Sequence, residues 1–183
     1  MNCAQSRFGS MKNYIFLLLL LPFLAGCRKT DVGFDMTYRR TFRINVGLDP
    51  FFSANYLFSD IPVDTAVFFQ ANGNITSDKI GQIVPRNMTI RPIFSGDGDL
   101  SIVRRVDVAI FDTKMNSETA VFYNNDVRLS NGQINLIPDN SDVRKLFLSG
   151  NGRYNLRIKI YFYDITPRSY DVEWSATFLA KTE

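Results

Sequence analysis

The chain contains no histidine and only two cysteines, Cys3 and Cys27. The first absence removes the Ser-His-Asp triad, the Cys-His pair and every imidazole metal ligand. Two cysteines are too few for a disulfide framework or a thiolate zinc site. No G-x-S-x-G, no phosphate-binding G-x-x-x-x-G-K-[ST] loop and no G-x-G-x-x-G occurs. What stays open is chemistry by carboxylate, lysine, tyrosine or serine alone. Charge of one sign is also lacking. The 21 basic residues against 18 acidic ones leave +3, which gives no electrostatic case for nucleic acid. Low-complexity tracts, internal repeats and a second linker are absent. The one long apolar run, from Tyr14 to Phe23, covers 10 residues, or roughly 15 Å as a helix. A bilayer core needs about 20 residues, so a spanning helix is the poorer reading.

What stands around that run is informative. Lys12 supplies a positive front end, and Met11-Lys12 reads as the natural start of translation. Leu24-Ala25-Gly26-Cys27 closes the run with small residues. A charged front, a short apolar stretch and a small-residue exit describe a secretory signal peptide over residues 1–26. Leu24-Ala25-Gly26-Cys27 resembles the lipobox of bacterial lipoproteins. The resemblance covers only residues 11–27. It implies that the thiol of Cys27 receives a diacylglyceryl group, that cleavage falls between Gly26 and Cys27, and that the freed amine is acylated, commonly with palmitate. Each buried CH₂ contributes about 0.8 kcal/mol, and stable anchoring takes two chains or equivalent signals. The resemblance also implies that Arg28, standing where an aspartate favours retention in the inner membrane, points to the outer membrane.

Cleavage there leaves 183 − 26 = 157 residues, one domain by size. Arg7 and Lys12 leave with the leader, so the balance becomes 19 − 18 = +1. A chain of this length buries about 68–70% of its unfolded surface without crosslinks. Cys3 is discarded and Cys27 carries lipid in this reading, so no disulfide forms. Residues 27–35 make a lipidated N-terminus and short tether; residues 36–183 make the domain.

The body reads as strands. In "MTYRRTFRINVGL", Met36, Tyr38, Phe42, Ile44, Val46 and Leu48 share one face, broken only by Arg40. Period two marks a half-buried strand. "NMTIRPIF" alternates less cleanly, and Pro92 suggests an edge or bulge. "SIVRRVDVAIF" groups Ile102, Val106, Val108 and Ile110, with Arg104 as the exception. "TAVFYNNDVRL" is a weaker strand. Asn131-Gly132 and "QINLI" follow it, the strongest short-range hairpin signal. Tyr154, Leu156, Ile158, Ile160 and Phe162 alternate with polar residues, as do Tyr170, Val172, Trp174, Ala176 and Phe178. These two strands, joined across "ITPRS", are expected to pair antiparallel. One short helix follows Asn140 or Ser141 as cap, with Val143, Leu146 and Phe147 at helical spacing. Residues 49–79 are poorly patterned. Seven or eight strands with one-face alternation predict an all-β, antiparallel β-sandwich of immunoglobulin-like type. A closed antiparallel β-barrel is the alternative.

Candidate sites are few. Tyr161 and Tyr163 share the polar face of their strand with Arg157 and Lys159, a strip that could stack on a sugar ring or grip an acidic glycan; tyrosines that merely cover a sheet are the plainer account. Trp174, in register with the apolar face, reads as core. "SGDGDLS" fails the calcium-loop pattern, because Ile102 and Val108 stand where glycine and glutamate are needed after Asp97. Asp107, Glu118, Asp126, Asp171 and Glu173 could supply a glycosidase pair, but any alternate residues of a strand have the spacing of Asp171 and Glu173. "DPFFSANYLF" is expected to plug one end of the sandwich, with an exposed docking patch as the alternative. The chain thus resembles the small β-rich lipoproteins of bacterial cell envelopes. The reading is an outer-membrane module, anchored through Cys27, that binds an envelope protein, surface assembly or glycan, with no enzyme activity, cofactor or metal. Its rivals are a histidine-free polysaccharide hydrolase and a barrel that carries a lipophilic ligand.

Overall fold

Alternating apolar residues become strands, and their burial follows the alternation. In the computed structural model, which describes residues 33–63, 79–94, 99–112, 118–129, 132–149 and 152–182, eight strands and one short helix are found. They are β1 Gly33–Ile44, β2 Ala54–Pro62, β3 Ile80–Pro92, β4 Val103–Phe111, β5 Glu118–Asn124, β6 Ile134–Pro138, α1 Arg144–Ser149, β7 Arg153–Phe162 and β8 Tyr170–Thr182. The leader and Cys27 lie outside the described residues. Residues 33–35, expected in the tether, already belong to β1.

The strands are hydrogen-bonded in the order β1-β8-β3-β6-β5-β4-β7-β2. This is an all-β antiparallel sandwich. One layer is β1-β8-β3-β6 and the other is β2-β7-β4-β5. A thin seam joins them, where Phe122 faces Pro138 and Tyr123 faces Ile137 across β5 and β6. The order is that of a jelly roll, eight strands in two Greek keys, in place of the seven-strand immunoglobulin pattern. Strands β7 and β8 do not pair with each other, contrary to the expectation from "ITPRS". Each has both edges occupied, β7 by β2 and β4 and β8 by β1 and β3. Residues 163–169 cross between layers about 10 Å apart and close no hairpin.

The side opposite the seam carries the free edges of β1 and β2. Rings close it. Phe42 on β1 meets Tyr56 at 4.5 Å and Phe58 at 5.7 Å, and Phe58 stands edge-on to Trp174 at 5.4 Å. Between the layers, Phe147 contacts Tyr154 at 4.6 Å and Phe178 at 5.0 Å, while Tyr38 meets Tyr154 at 5.4 Å. Such pairs contribute about 0.5–1.5 kcal/mol each beyond their buried area. Trp174, Tyr154, Phe147 and Phe178 are fully buried, so rings occupy the interior that a carrier barrel would keep for its ligand.

Exceptions to the alternation have local causes. Arg40 takes an inward position of edge strand β1 yet is exposed; inward charge on an edge discourages pairing with another chain. Arg104 falls beside a bulge between Val103 and Arg105, which turns Val103 inward and leaves Ile102 in the short 3₁₀ turn before it. Pro92 ends β3, and Pro85 borders a bulge in that strand, where a missing N–H does least harm. On β2, a register shift between Phe58 and Ile61 places Asp60 at φ 59°. The buried Asn155 of β7 holds that bulge, accepting from the Asp60 N–H at 2.9 Å and donating to the Asp112 carbonyl at 3.2 Å.

Helix α1 differs at its start from expectation. Asp142, not Asn140 or Ser141, accepts from the Arg144 N–H at 3.0 Å, and it also accepts from the Ile83 N–H at 3.1 Å. Val143, Leu146 and Phe147 are buried as their spacing requires. Nor does Asn131-Gly132 close a tight hairpin. Gly132 has φ +73°, but β5 ends at Asn124 and β6 begins at Ile134; Asn131 lies outside the described residues.

Among the described residues, the Tyr154 hydroxyl is buried without a hydrogen-bond partner, and burial pushes its phenol well above the ordinary range. Burial likewise pushes Tyr56 up to about 12. Both groups favour the neutral folded state, so their contribution is full below the unfolded phenol pKa near 10 and is lost as pH climbs from there through the folded values. Tyr154→Phe removes an unsatisfied polar group, and urea titration at pH 7 should show stability unchanged or raised by up to about 2 kcal/mol. The variant should also lose less stability than the parent above about pH 10. A loss of more than about 1 kcal/mol at neutral pH would mean the hydroxyl has a partner in solution.

Candidate functional site

The outer face of β7 holds the expected strip, and its neighbours change its character. Arg157 forms an ion pair with Glu118, and its guanidinium lies 5.1 Å over the Phe111 ring. Lys159 stands between Asp107 of β4 and Asn55 of β2 in the register. Tyr161 is half-buried, with the Arg105 guanidinium 5.4 Å over its ring; Arg105 is in turn paired with Asp107 at 2.9 Å. That pairing raises the Arg105 pKa. Tyr163 has left the strand, donating to Asp126 at 3.4 Å. The structure therefore brings Arg157, Lys159 and Tyr161 onto one face and sends Tyr163 to the end of the sandwich. Arg157 and Tyr161 are each engaged by neighbours on this face, and the Tyr161 ring is covered on one side by Arg105.

The five candidate carboxylates sit on outer faces or loops, each beside an arginine. Arg43 holds Asp171 by two bonds of 2.8 and 2.7 Å, and this bonding lowers the Asp171 pKa. Arg91 holds Glu173 at 2.8 Å and Arg128 holds Asp126 at 3.3 Å. Asp107 and Glu118 bind Arg105 and Arg157, as above. Exposed pairs of this kind contribute about 0–1 kcal/mol. Among the described residues, each of these acids is paired with an arginine and none is bonded to another of the five. Asp99 caps the short turn, accepting from the Ser101 N–H at 2.9 Å; hydrogen bonding from the Ser101 side chain, and then from its backbone, lowers the Asp99 pKa. Asp97 lies outside the described residues. Among the described residues no three metal-binding side chains cluster, and no helix is long and apolar enough to cross a membrane. Trp174 is core, as its register required.

The stretch 49–58 behaves unlike either simple expectation. Tyr56 and Phe58 plug the open side of the sandwich, not its end. Phe51 is 89% exposed and Phe52 74% exposed. They stand in the β1–β2 connection, and the register shows what surrounds them. Ile44 faces Tyr170, Pro92 faces Val172, Val103 faces Phe162 and Val106 faces Asn124. The connections β1–β2, β3–β4, β5–β6 and β7–β8 therefore gather at one end. Among the described residues, seven of the ten exposed large apolar ones are there: Val46, Phe51, Phe52, Ile93, Phe94, Tyr163 and Ile165.

This end is tied down. Thr166, 1% exposed, is its knot. The Leu48 N–H donates to Thr166 Oγ1 at 2.7 Å, and Thr166 Oγ1 donates to the Asn45 carbonyl at 2.8 Å. The Thr166 backbone adds bonds to Gly47 at 2.9 Å and Leu48 at 3.2 Å. Ser169 accepts from the Val46 N–H at 3.1 Å, and the Ile93 N–H reaches the Asp171 carbonyl at 3.0 Å. Sequence reading missed the cluster because its members come from separate connections. Only the dense "PFF" at 50–52 signalled it.

No protein-family model matches this chain, and no curated protein matches it. Solved structures similar to it include a decameric BFDV capsid protein, at 11% identity and a TM-score of 0.33 over 81% of this chain and 98% of that one. Turnip yellow mosaic virus is similar at 13% identity and a TM-score of 0.27, over 81% and 95%. At such scores nothing about this chain is drawn from either.

Thr166→Val keeps the shape of the knot but strands the Leu48 N–H. Urea denaturation should show a loss of about 1–3 kcal/mol. A change below about 0.5 kcal/mol would mean that the loop end is not held by this residue.

Proposed function

We propose that this protein is a lipid-anchored, non-enzymatic interaction module of a bacterial cell envelope. The observation that carries the reading is Cys27, placed after Leu24-Ala25-Gly26 at the end of a short apolar run with a positive front. Acylation there holds the domain at a membrane, and confinement raises its effective concentration at any partner in the same layer. The residue after the cysteine, Arg28, favours the outer membrane. Three features of the domain weigh for binding over chemistry. Rings fill its interior, its candidate acids lie beside arginines on outer faces, and it has no histidine. The same filled interior weighs against carriage of a lipophilic ligand.

Cells expressing the chain and fed labelled palmitate should yield a labelled protein in the detergent phase. Cys27→Ala should abolish the label and move the protein to the aqueous phase or leave it with its leader uncut. Recovery of the unsubstituted chain in the aqueous phase, unlabelled and with residues upstream of Cys27 still attached, would sink the reading.

A further inference from the structure

We infer that the free edge of β1 pairs with the same edge of a second copy of this chain, antiparallel and centred on Thr37, so that Arg39 of each copy meets Asp35 of the other. The inference rests on β1 and its register with β8, and on nothing in the anchor reading above.

Of the two strands that end the hydrogen-bonded order, only β1 offers a regular edge. β2 is broken by the register shift at Asp60 and ends at Pro62. Bulges and proline are the devices that blunt an edge. β1 runs 12 residues without proline or a shift, from Gly33 facing Lys181 to Ile44 facing Tyr170. Among the described residues no strand pairs with its other side. The N–H and C=O of every second residue of β1 therefore point away from β8, and an extended segment is what satisfies such a row.

The charges on β1 say which segment. Arg43 is held by Asp171. Arg39 and Arg40 have no carboxylate partner among the described residues, and Arg40 bonds only the Arg39 carbonyl. Arg39 stands on the outward face and Arg40 on the inward one, and both are exposed. Asp35 gives Oδ2 to Arg86, while its Oδ1 makes no bond among the described residues. The outward face of the strand thus carries a half-used acid at Asp35 and an unused base at Arg39. An antiparallel copy of the strand presents the same two groups in reverse order.

Symmetry leaves few registers. A two-fold axis normal to the sheet keeps both inward faces on one side, so facing residues are both inward or both outward. Centring on Arg39 or Arg40 sets that arginine against its own copy, and like charges directly opposite destabilise a pair. Centring on Tyr38 puts Arg39 beside Thr37 and Arg40 beside Met36, which answers neither charge. Centring on Thr37 puts Arg39 beside Asp35 and Arg40 beside Phe34, each twice by symmetry, with Met36 beside Tyr38 and Thr37 beside itself. Arginine against an aromatic face is attractive. Residues 33–41 of each copy take part, and the two β1-β8-β3-β6 layers become one continuous sheet. Arg40, which penalises other pairings of this edge, is accommodated in this one. An acidic extended segment of another protein is the rival occupant. The second copy is favoured because β1 itself carries the complement of Arg39 at the spacing that two-fold pairing needs.

The test co-expresses two differently tagged copies of the full chain, solubilises the cells in mild detergent and captures one tag. The parent copies should co-purify. Arg39→Asp in both copies sets carboxylate against carboxylate and should cut recovery at least about tenfold; Asp35→Lys in both should do the same. Arg39→Asp in one copy with Asp35→Lys in the other restores two opposite-charge pairs and should recover the parent level within about twofold. Thr37→Glu in both copies meets itself and should break the pair, whereas Thr89→Glu, on the same outer face but two strands away, should not. Thermal midpoints should hold for Arg39→Asp and Thr37→Glu, whose side chains are exposed. Should Asp35→Lys fail to fold through loss of its pair with Arg86, the Arg39→Asp and Thr37→Glu copies still decide. A parent chain recovered alone, or with an acidic protein in place of its second copy, would overturn the proposal. So would Arg39→Asp or Thr37→Glu copies that co-purify like the parent, or a folded mixed pair that shows no rescue.

Discussion

Ring packing between two layers is the constraint on which everything else here depends. The layers share only a short hydrogen-bonded seam, Phe122 with Pro138 and Tyr123 with Ile137. Along the opposite side no ladder joins β1 to β2. Phe147, Tyr154, Phe178, Tyr38 and Trp174, with Phe42 and Phe58 at the open side, must supply what the ladder does not. Fully burying a side chain such as Phe178 contributes about 1.5–3 kcal/mol, against about 0.5–1.5 kcal/mol for a backbone hydrogen bond. Among the described residues, these rings fill the space between the layers.

The period-two pattern made much of this legible. The inward residues of β7 and β8 and the core position of Trp174 follow from alternation alone. Pairing did not, because alternation says which face of a strand is buried and nothing about which strand lies beside it. Thus β7 and β8 looked like a hairpin and are in different layers. Strands β2 and the first half of β3 were hidden by Pro85, by bulges and by Asp60 in a left-handed conformation. Each breaks the period that a sequence reading counts.

The candidate sites divide along the same line. The strip on β7 was read from one strand, but its character is decided by β4 and β5, whose Arg105 and Glu118 engage Tyr161 and Arg157. The loop end is the converse. No single connection marks it, yet the jelly-roll order brings four connections together and leaves Phe51, Phe52, Phe94 and Ile165 facing solvent on a bonded frame. The same order places Gly33, where β1 begins, at the end away from these connections.

Native-state hydrogen exchange tests most directly whether the ring-packed layers and the loop end form one rigid unit. The amides of Leu48, Thr166 and Ile93 should exchange only with global opening, at the same free energy as Ile158 and Trp174 in the central strands. If the loop-end amides open several kcal/mol more easily than those strands, the end is a set of loose loops, and the account of a preformed surface held by the core is contradicted.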